Sequence, residues 1–144
     1  MDSPPRTQPK IRVVAALIER DGKVLVTQRA HHSVLPSLWE FPGGKVEPNE
    51  TDEFALEREL RERLGVAGQV GGEFLAVEHA YADFVVDLHV YAFEIGAAAL
   101  PDPDRGHGQR QYRWVSLAEL PDLPFPDADQ ASVSALLRES PPRP

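Results

Sequence analysis

The chain has 144 residues, of which 42% are hydrophobic, with no cysteine and a formal net charge of -8. This length suits one domain with a buried core, and the lack of cysteine excludes disulfides and thiolate metal sites and is typical of a reducing compartment. The negative charge argues against a nucleic acid polymer as partner, and no segment is apolar enough to span a membrane, so we expect a cytoplasmic protein.

The first predicted elements form a hairpin behind a polar tail. Residues 1–9 and 141–144 are polar and proline-bearing, so we predict flexible tails around a single domain at 10–140. The runs "IRVVAALI" and "RDGKVLVTQR" predict two strands joined at Asp21 and Gly22, a dipeptide suited to the positive φ of a tight turn. From Ala30 to Glu40 the pattern breaks, which predicts a loop that could cover a site.

A helix is predicted from about Asp52 to Leu64. Thr51 is suited to the N-cap position, and Gly65 stands where a left-handed C-cap is expected. Apolar residues recur every four positions along this segment, so one face should be buried. That face carries Leu56, Leu60 and Leu64.

The second half of the chain predicts further strands and a final helix. "EFLAVEH" and "DFVVDLHVYAFEI" are typical of strands, the second apolar on both faces and so central in a sheet. "YRWV" predicts another strand, "SLAEL" a helical turn and "DADQASVSALLRES" an amphipathic helix. This order predicts an α/β fold with helices packed on a mostly antiparallel or mixed sheet.

Two glycines and a group of acids flank the start of the first helix. The carbonyl of Gly44 is a hard oxygen donor, and Glu59 and Glu62 stand at i and i+3, on one side of the helix. Such oxygens suit Mg²⁺ or Mn²⁺. From charge alone, a solvated acidic helix face is the alternative.

The spacing in this segment resembles the Nudix box, which runs glycine, five residues, glutamate, seven residues, then Arg-Glu-apolar-any-Glu-Glu-any-Gly-apolar. The matching positions are Gly44, Glu50, Arg58, Glu59, Leu60, Glu62, Gly65 and Val66. "KVLVTQRA", "LWEFPGGKVEPNET", "RWVSLAEL" and "LPFPDAD" also resemble segments of MutT-like and CTP pyrophosphohydrolase-like Nudix hydrolases. The similarity extends from Arg12 to Leu137.

This resemblance implies a Nudix-type α/β/α sandwich with a mixed sheet, which hydrolyses a nucleoside diphosphate linked to another group. By position, Gly44, Glu59 and Glu62 would bind Mg²⁺, or Mn²⁺ in its place. Arg58 would orient Glu59, and Glu59 is the candidate to hold or deprotonate the attacking water.

Four other positions match substrate-binding positions of relatives. Arg29 would face the nucleotide, Lys45 could reach a phosphate, and Glu40 and Asp129 would line the base pocket. Because an aspartate only accepts hydrogen bonds, Asp129 would favour a base that presents amino or imino hydrogens. The alternatives are a surface role for Arg29 and an N-cap role for Asp129.

Two positions depart from the Nudix pattern. Arg63 replaces the second glutamate of the Glu-Glu pair, and Gly108 stands where MutT-like proteins often carry an outlying acid. Arg63 follows Glu59 by four residues, a favourable spacing for an ion pair that would occupy the carboxylate. Both departures weaken the expected metal site.

The leading hypothesis is metal-dependent hydrolysis of a nucleoside or deoxynucleoside triphosphate to monophosphate and pyrophosphate. One alternative is a Nudix-fold module that binds nucleotides with little or no turnover. Another is a Nudix hydrolase of a different substrate, such as a sugar nucleotide or a dinucleoside polyphosphate.

Overall fold

The computed structural model describes residues 8–28, 38–95 and 111–139. The helices are α1 (Asp52–Leu64) and α2 (Asp127–Glu139), and a short 3-10 turn covers Leu120–Asp122. The strands are β1 (Lys10–Leu17), β2 (Glu19–Arg20), β3 (Lys23–Gln28), β4 (Trp39–Glu40), β5 (Gly43–Lys45), β6 (Gln69–Ala80), β7 (Val85–Glu94) and β8 (Gln111–Ser116). Apart from residues 8 and 9, the predicted tails lie outside the described residues.

The strands form two four-stranded sheets. In the first, with the order β5-β1-β7-β6, β1 and β7 run parallel and the other neighbours run antiparallel. In the second, β3 pairs antiparallel with β2, β4 and β8. The predicted mixed sheet is therefore confirmed, and β7 has a partner on each side, as expected of a central strand.

Strand β1 separates two apolar cores because its side chains alternate between the faces of the sheet. Val14 and Ala16 share one core with α1. Ala15 and Leu17 share the other with Val133 and Leu136 of α2. A sheet layer between two helices is the α/β/α sandwich that the sequence predicts.

The boundaries of α1 follow from local chemistry. The Thr51 hydroxyl accepts the N–H of Phe54 at 3.1 Å, and Gly65 ends the helix with a φ of 68°. The leucine stripe is buried, as predicted, because it is the face that α1 turns toward the sheet. The predicted N-cap, C-cap and buried face are all confirmed.

Two loop predictions have different outcomes. Asp21 and Gly22 adopt φ values of 55° and 78° between β2 and β3, so the predicted turn is confirmed. The predicted pairing is right only for the short β2, because most of the first run forms β1, which pairs with β5 and β7 in the other sheet. Most of the predicted loop from Ala30 to Glu40 lies outside the described residues, and its last two residues were predicted wrongly, because Trp39 and Glu40 form β4 and pair with β3. Neither described helix is long and apolar enough to cross a bilayer.

Candidate active site

Glu59 is a buried carboxylate on the side of α1 that faces β5. Its exposed fraction is 5%. On β5, Gly44 pairs with Val14 of β1, and a Cβ atom at residue 44 would overlap the carboxyl group of Glu59. Only glycine allows the strand to approach the carboxylate this closely. The glycine of the motif is therefore explained by the position of Glu59.

Arg58 connects the acids of the site. Its guanidinium binds both carboxylate oxygens of Glu50, at 2.6 and 2.9 Å, and the Lys45 carbonyl at 3.2 Å. It also donates to Glu59 at 3.1 Å and to Glu62 at 3.4 Å. One arginine thus holds the loop after β5 against the helix, in contact with the carboxylate it was expected to orient.

The ion pair between Arg58 and Glu50 shifts the pKa of both side chains. The hydrogen bond from Arg58 holds the pKa of Glu50 below its usual range, and the bond to Glu50 raises the pKa of Arg58. Glu50 also accepts the backbone N–H of Glu47 at 2.8 Å. Sequence reasoning assigned Glu50 no role, although its fixed place eight residues before Arg58 in the motif could have identified this pair.

Arg63 engages the remaining oxygen of Glu59. Arg63 Nε donates to Glu59 Oε1, while Arg58 Nη1 donates to Oε2. The Arg63 side chain is 35% exposed and the Glu59 side chain only 7%. The ion pair expected from the spacing is present, and guanidinium groups contact both oxygens of the central carboxylate.

A cleft of about 470 Å³ opens beside Glu59, between β1, β5 and α1. Glycines 43 and 44 lie along its wall. Its charged lining consists of Glu40, Lys45, Glu47, Glu59 and Arg63. The structure therefore brings to one cleft five residues singled out from the sequence: Glu40, Gly44, Lys45, Glu59 and Arg63. Glu47 is a further acid of the cleft that sequence reasoning missed.

Asp129 does not line this cleft, but the segment just before its helix packs against the wall of the cleft. The N–H of Trp39 donates to the Pro124 carbonyl at 2.8 Å, and the ring of Phe41, which lines the cleft, lies 5.6 Å from that of Phe125. Asp129 is the third residue of α2 and is 9% exposed. The alternative of an N-cap role is wrong, because α2 begins two residues earlier, at Asp127.

Arg29 and Gly108 lie outside the described residues. Their proposed positions beside the nucleotide and the metal therefore stay predictions. Glu62 is described, and its side chain is 62% exposed and contacts Arg58.

The oxygen atoms around Glu59 are of the kind that binds a hard cation, but Arg63 must first move away from Glu59. Carboxylate and carbonyl oxygens are the donors that Mg²⁺ and Mn²⁺ prefer, and Gly44 leaves the strand open beside the carboxylate. In the arrangement seen, no three acidic or histidine side chains of the described ranges gather as a metal-binding group. Arg63 must leave Glu59 before that oxygen can bind a cation.

Comparison with known proteins agrees with this motif and fold. A model of the NUDIX domain matches residues 13–135. The chain is 38% identical over 127 residues to the CTP pyrophosphohydrolase of Escherichia coli K12, covering 88% of this chain and 91% of that protein. It is 30% identical over 130 residues to the 8-oxo-dGTP diphosphatase of the same organism, covering 90% and 98%.

Solved structures give the same result. The solution structure of the E. coli ORF135 protein superposes with a TM-score of 0.75 at 36% identity, covering 95% of this chain and 96% of the other. The MutT protein of Methanosarcina mazei Go1 superposes with a TM-score of 0.74 at 26% identity, covering 94% and 98%. With the motif, the sandwich and these relatives in agreement, the chain belongs to the Nudix hydrolase family of enzymes.

Proposed function

We propose that this Nudix hydrolase converts nucleoside or deoxynucleoside triphosphates to the monophosphate and pyrophosphate, with Mg²⁺ or Mn²⁺ as cofactor. The observation that carries the proposal is the buried carboxylate of Glu59, held against Gly44 at the edge of a cleft. Relatives named for CTP and 8-oxo-dGTP support a nucleotide substrate. The cytoplasm, with its nucleotide pool and reducing conditions, is the compartment we propose.

The cofactor would be held by Glu59, Glu62 and the Gly44 carbonyl. When bound, it supplies positive charge that neutralises phosphate oxygens and makes nearby water more acidic. The chain has a formal charge of -8, so a polyphosphate needs such a counter-charge at the site. Of the two carboxylates, Glu62 is the more exposed and contacts Arg58, whereas Glu59 is buried.

The chain's own residues have separate tasks in this reaction. Arg58 keeps the Glu59 carboxylate oriented toward the cleft, where it can hold the attacking water and accept its proton. Water adds to phosphorus as the bond between the α and β phosphates breaks, which releases pyrophosphate. Lys45 lines the cleft with an exposed ammonium group that can bind a phosphate.

The base would be recognised by Glu40 and Asp129, the two candidate base-pocket residues. Glu40 lines the cleft from β4, and Asp129 follows Phe125, whose ring packs against that of Phe41 in the cleft wall, by four residues. A carboxylate accepts hydrogen bonds and cannot donate them when ionised. We therefore propose that Asp129 favours bases with amino hydrogens, such as cytosine. Arg29 is proposed to contact the nucleotide.

Pyrophosphate release from a panel of ribonucleoside and deoxyribonucleoside triphosphates tests this function. We expect turnover with Mg²⁺, its loss in EDTA, and a large loss in Glu59→Gln, which removes one anionic oxygen and a proton acceptor together. Glu53→Gln is the matched control, because Glu53 is exposed in the first turn of the same helix. Undiminished turnover in EDTA would refute the proposal.

A second candidate, a nucleotide-binding module with little turnover, is favoured by one contact. Arg63 occupies an oxygen of Glu59 that the cofactor needs. If this contact persists when nucleotide binds, calorimetry will detect nucleotide binding while no pyrophosphate appears with any member of the panel. Turnover of a sugar nucleotide or a dinucleoside polyphosphate, with none of a triphosphate, would indicate the other Nudix alternative.

A further inference from the structure

Tyr81 caps the N-terminus of α2 from a distant part of the chain. It lies on the short connection between β6 and β7, and its hydroxyl oxygen accepts the backbone N–H of Ala128 at 3.1 Å. Ala128 is the second residue of α2, so its N–H is one of the groups that a helix cannot satisfy internally. The residue before α2 is Pro126, whose side chain has no acceptor. Tyr81 therefore does the work that a Ser or Asp N-cap does in other helices.

The ring of Tyr81 is held in a defined position. It stacks on Phe84 with 5.1 Å between ring centroids, and His79 meets it edge-on at 4.7 Å. The backbone N–H of Tyr81 donates to the Phe84 carbonyl at 2.7 Å, which closes the turn that carries the ring. The hydroxyl therefore has a defined position, and its hydrogen bond to Ala128 fixes the position of the first turn of α2.

The residue after Ala128 is Asp129, the candidate that would read the base. The backbone N–H of Asp129 donates to the Pro126 carbonyl at 2.9 Å, so both residues belong to one tight first turn. Asp129 is also largely buried, which leaves its side chain little freedom apart from movement of that turn. A shift of the turn therefore becomes a shift of the carboxylate.

We propose that Tyr81 is a positioning residue that sets nucleobase preference by fixing Ala128 and, through it, Asp129. This rests on the proposed role of Asp129 in base recognition. Tyr81→Phe removes the hydroxyl and keeps the ring with its two aromatic contacts. Because one hydrogen bond is involved, we expect discrimination between bases to fall by about 2- to 10-fold.

The experiment compares Tyr81→Phe, Asp129→Asn and the double variant, with CTP and UTP as probes. The readouts are the CTP to UTP ratio of kcat/KM for pyrophosphate release and the ratio of the dissociation constants of CMP and UMP, which needs no turnover. Asparagine keeps the size of aspartate and adds a donor, so Asp129→Asn should lower the preference for cytosine. Tyr81→Phe should lower it in the same direction, mainly through KM, and should add nothing in the double variant.

Tyr91→Phe is the control for loss of a tyrosine hydroxyl. Tyr91 donates its hydroxyl to Asp52 at the start of α1, away from α2, so the base ratios should not change. If Asp129→Asn leaves both ratios unchanged, the base-reading role of Asp129 fails. If Asp129→Asn changes the ratios and Tyr81→Phe does not, the positioning role of Tyr81 is wrong. The same holds if the effects of the two substitutions add in the double variant. In both cases the base-reading role of Asp129 stands.

Discussion

Replacing Arg63 by glutamine should tighten Mg²⁺ binding, because it frees an oxygen of Glu59. The carboxylate side chain is 7% exposed and that of Arg63 35%. This ion pair is intermediate in burial. Exposed ion pairs stabilise a protein by about 0.2–1 kcal/mol, and breaking a buried ion pair costs about 3–5 kcal/mol. A contribution of about 1–2 kcal/mol corresponds to about a 5- to 30-fold lower metal dissociation constant.

Arg63→Glu should have a larger effect than Arg63→Gln. It removes the same cation and adds a hard oxygen ligand, so we expect tighter metal binding and faster pyrophosphate release. Without metal, the new carboxylate lies four residues from Glu59 on α1, and two like charges at this spacing destabilise the helix. Added Mg²⁺ should therefore raise the melting temperature of Arg63→Glu more than that of the wild type.

Three assays carry this test: calorimetry of Mg²⁺ and Mn²⁺ binding, thermal melts with and without metal, and pyrophosphate release. Arg61→Gln is the matched control, because Arg61 is an exposed arginine in the same last turn of α1. Unchanged metal affinity combined with slower hydrolysis in Arg63→Glu would refute the reasoning. That result would mean that Arg63 serves as a fixed positive charge for a substrate phosphate.

Two further predictions concern the geometry and the charge of α1. Gly44→Ala should lower turnover by about 100-fold, because the added Cβ would displace the Glu59 carboxylate. Gly72→Ala is the control and should not lower turnover, because the space around its added Cβ is open. Equal activities of the two variants would show that the close approach of Gly44 to Glu59 is unnecessary. Arg12 holds the pKa of Asp52 below its usual range through a hydrogen bond, so the stability from this pair is present above the ordinary aspartate pKa and is lost as pH falls through the lowered pKa. Asp52→Asn should therefore flatten the acid side of the stability curve, measured by urea unfolding between neutral and acid pH; an unchanged slope would contradict this.

Local elements of the fold could be predicted from the sequence because their signals are local. The hairpin at Asp21 and Gly22 depends on two residues that tolerate positive φ, and α1 depends on Thr51, Gly65 and an apolar stripe. Each of these signals lies within a few residues of the structure it specifies. The predicted turn and the predicted helix were therefore both correct.

The long-range arrangements had no such signal. Nothing in "KIRVVAAL" indicates that β1 pairs parallel with β7, some 75 residues later, because any strand-like run can accept several partners. The contact between Tyr81 and Ala128 was missed for the same reason. The motif predicted that Gly44 and Glu59 lie together, whereas the position of Glu47 in the cleft and the different exposure of Glu62 and Glu59 required the fold.

The many acceptors around Arg58 have a consequence for how this sequence can change. Because the guanidinium binds Glu50 through both oxygens and also the Lys45 carbonyl, the link between loop and helix survives when a single outer acid is replaced. Positions 62 and 63 can therefore vary without unfolding the segment, although a substitution there changes the charge around Glu59 and with it the affinity for the cofactor. The acid that the Nudix pattern has at position 63 can therefore be introduced by the single substitution Arg63→Glu, without a compensating change elsewhere.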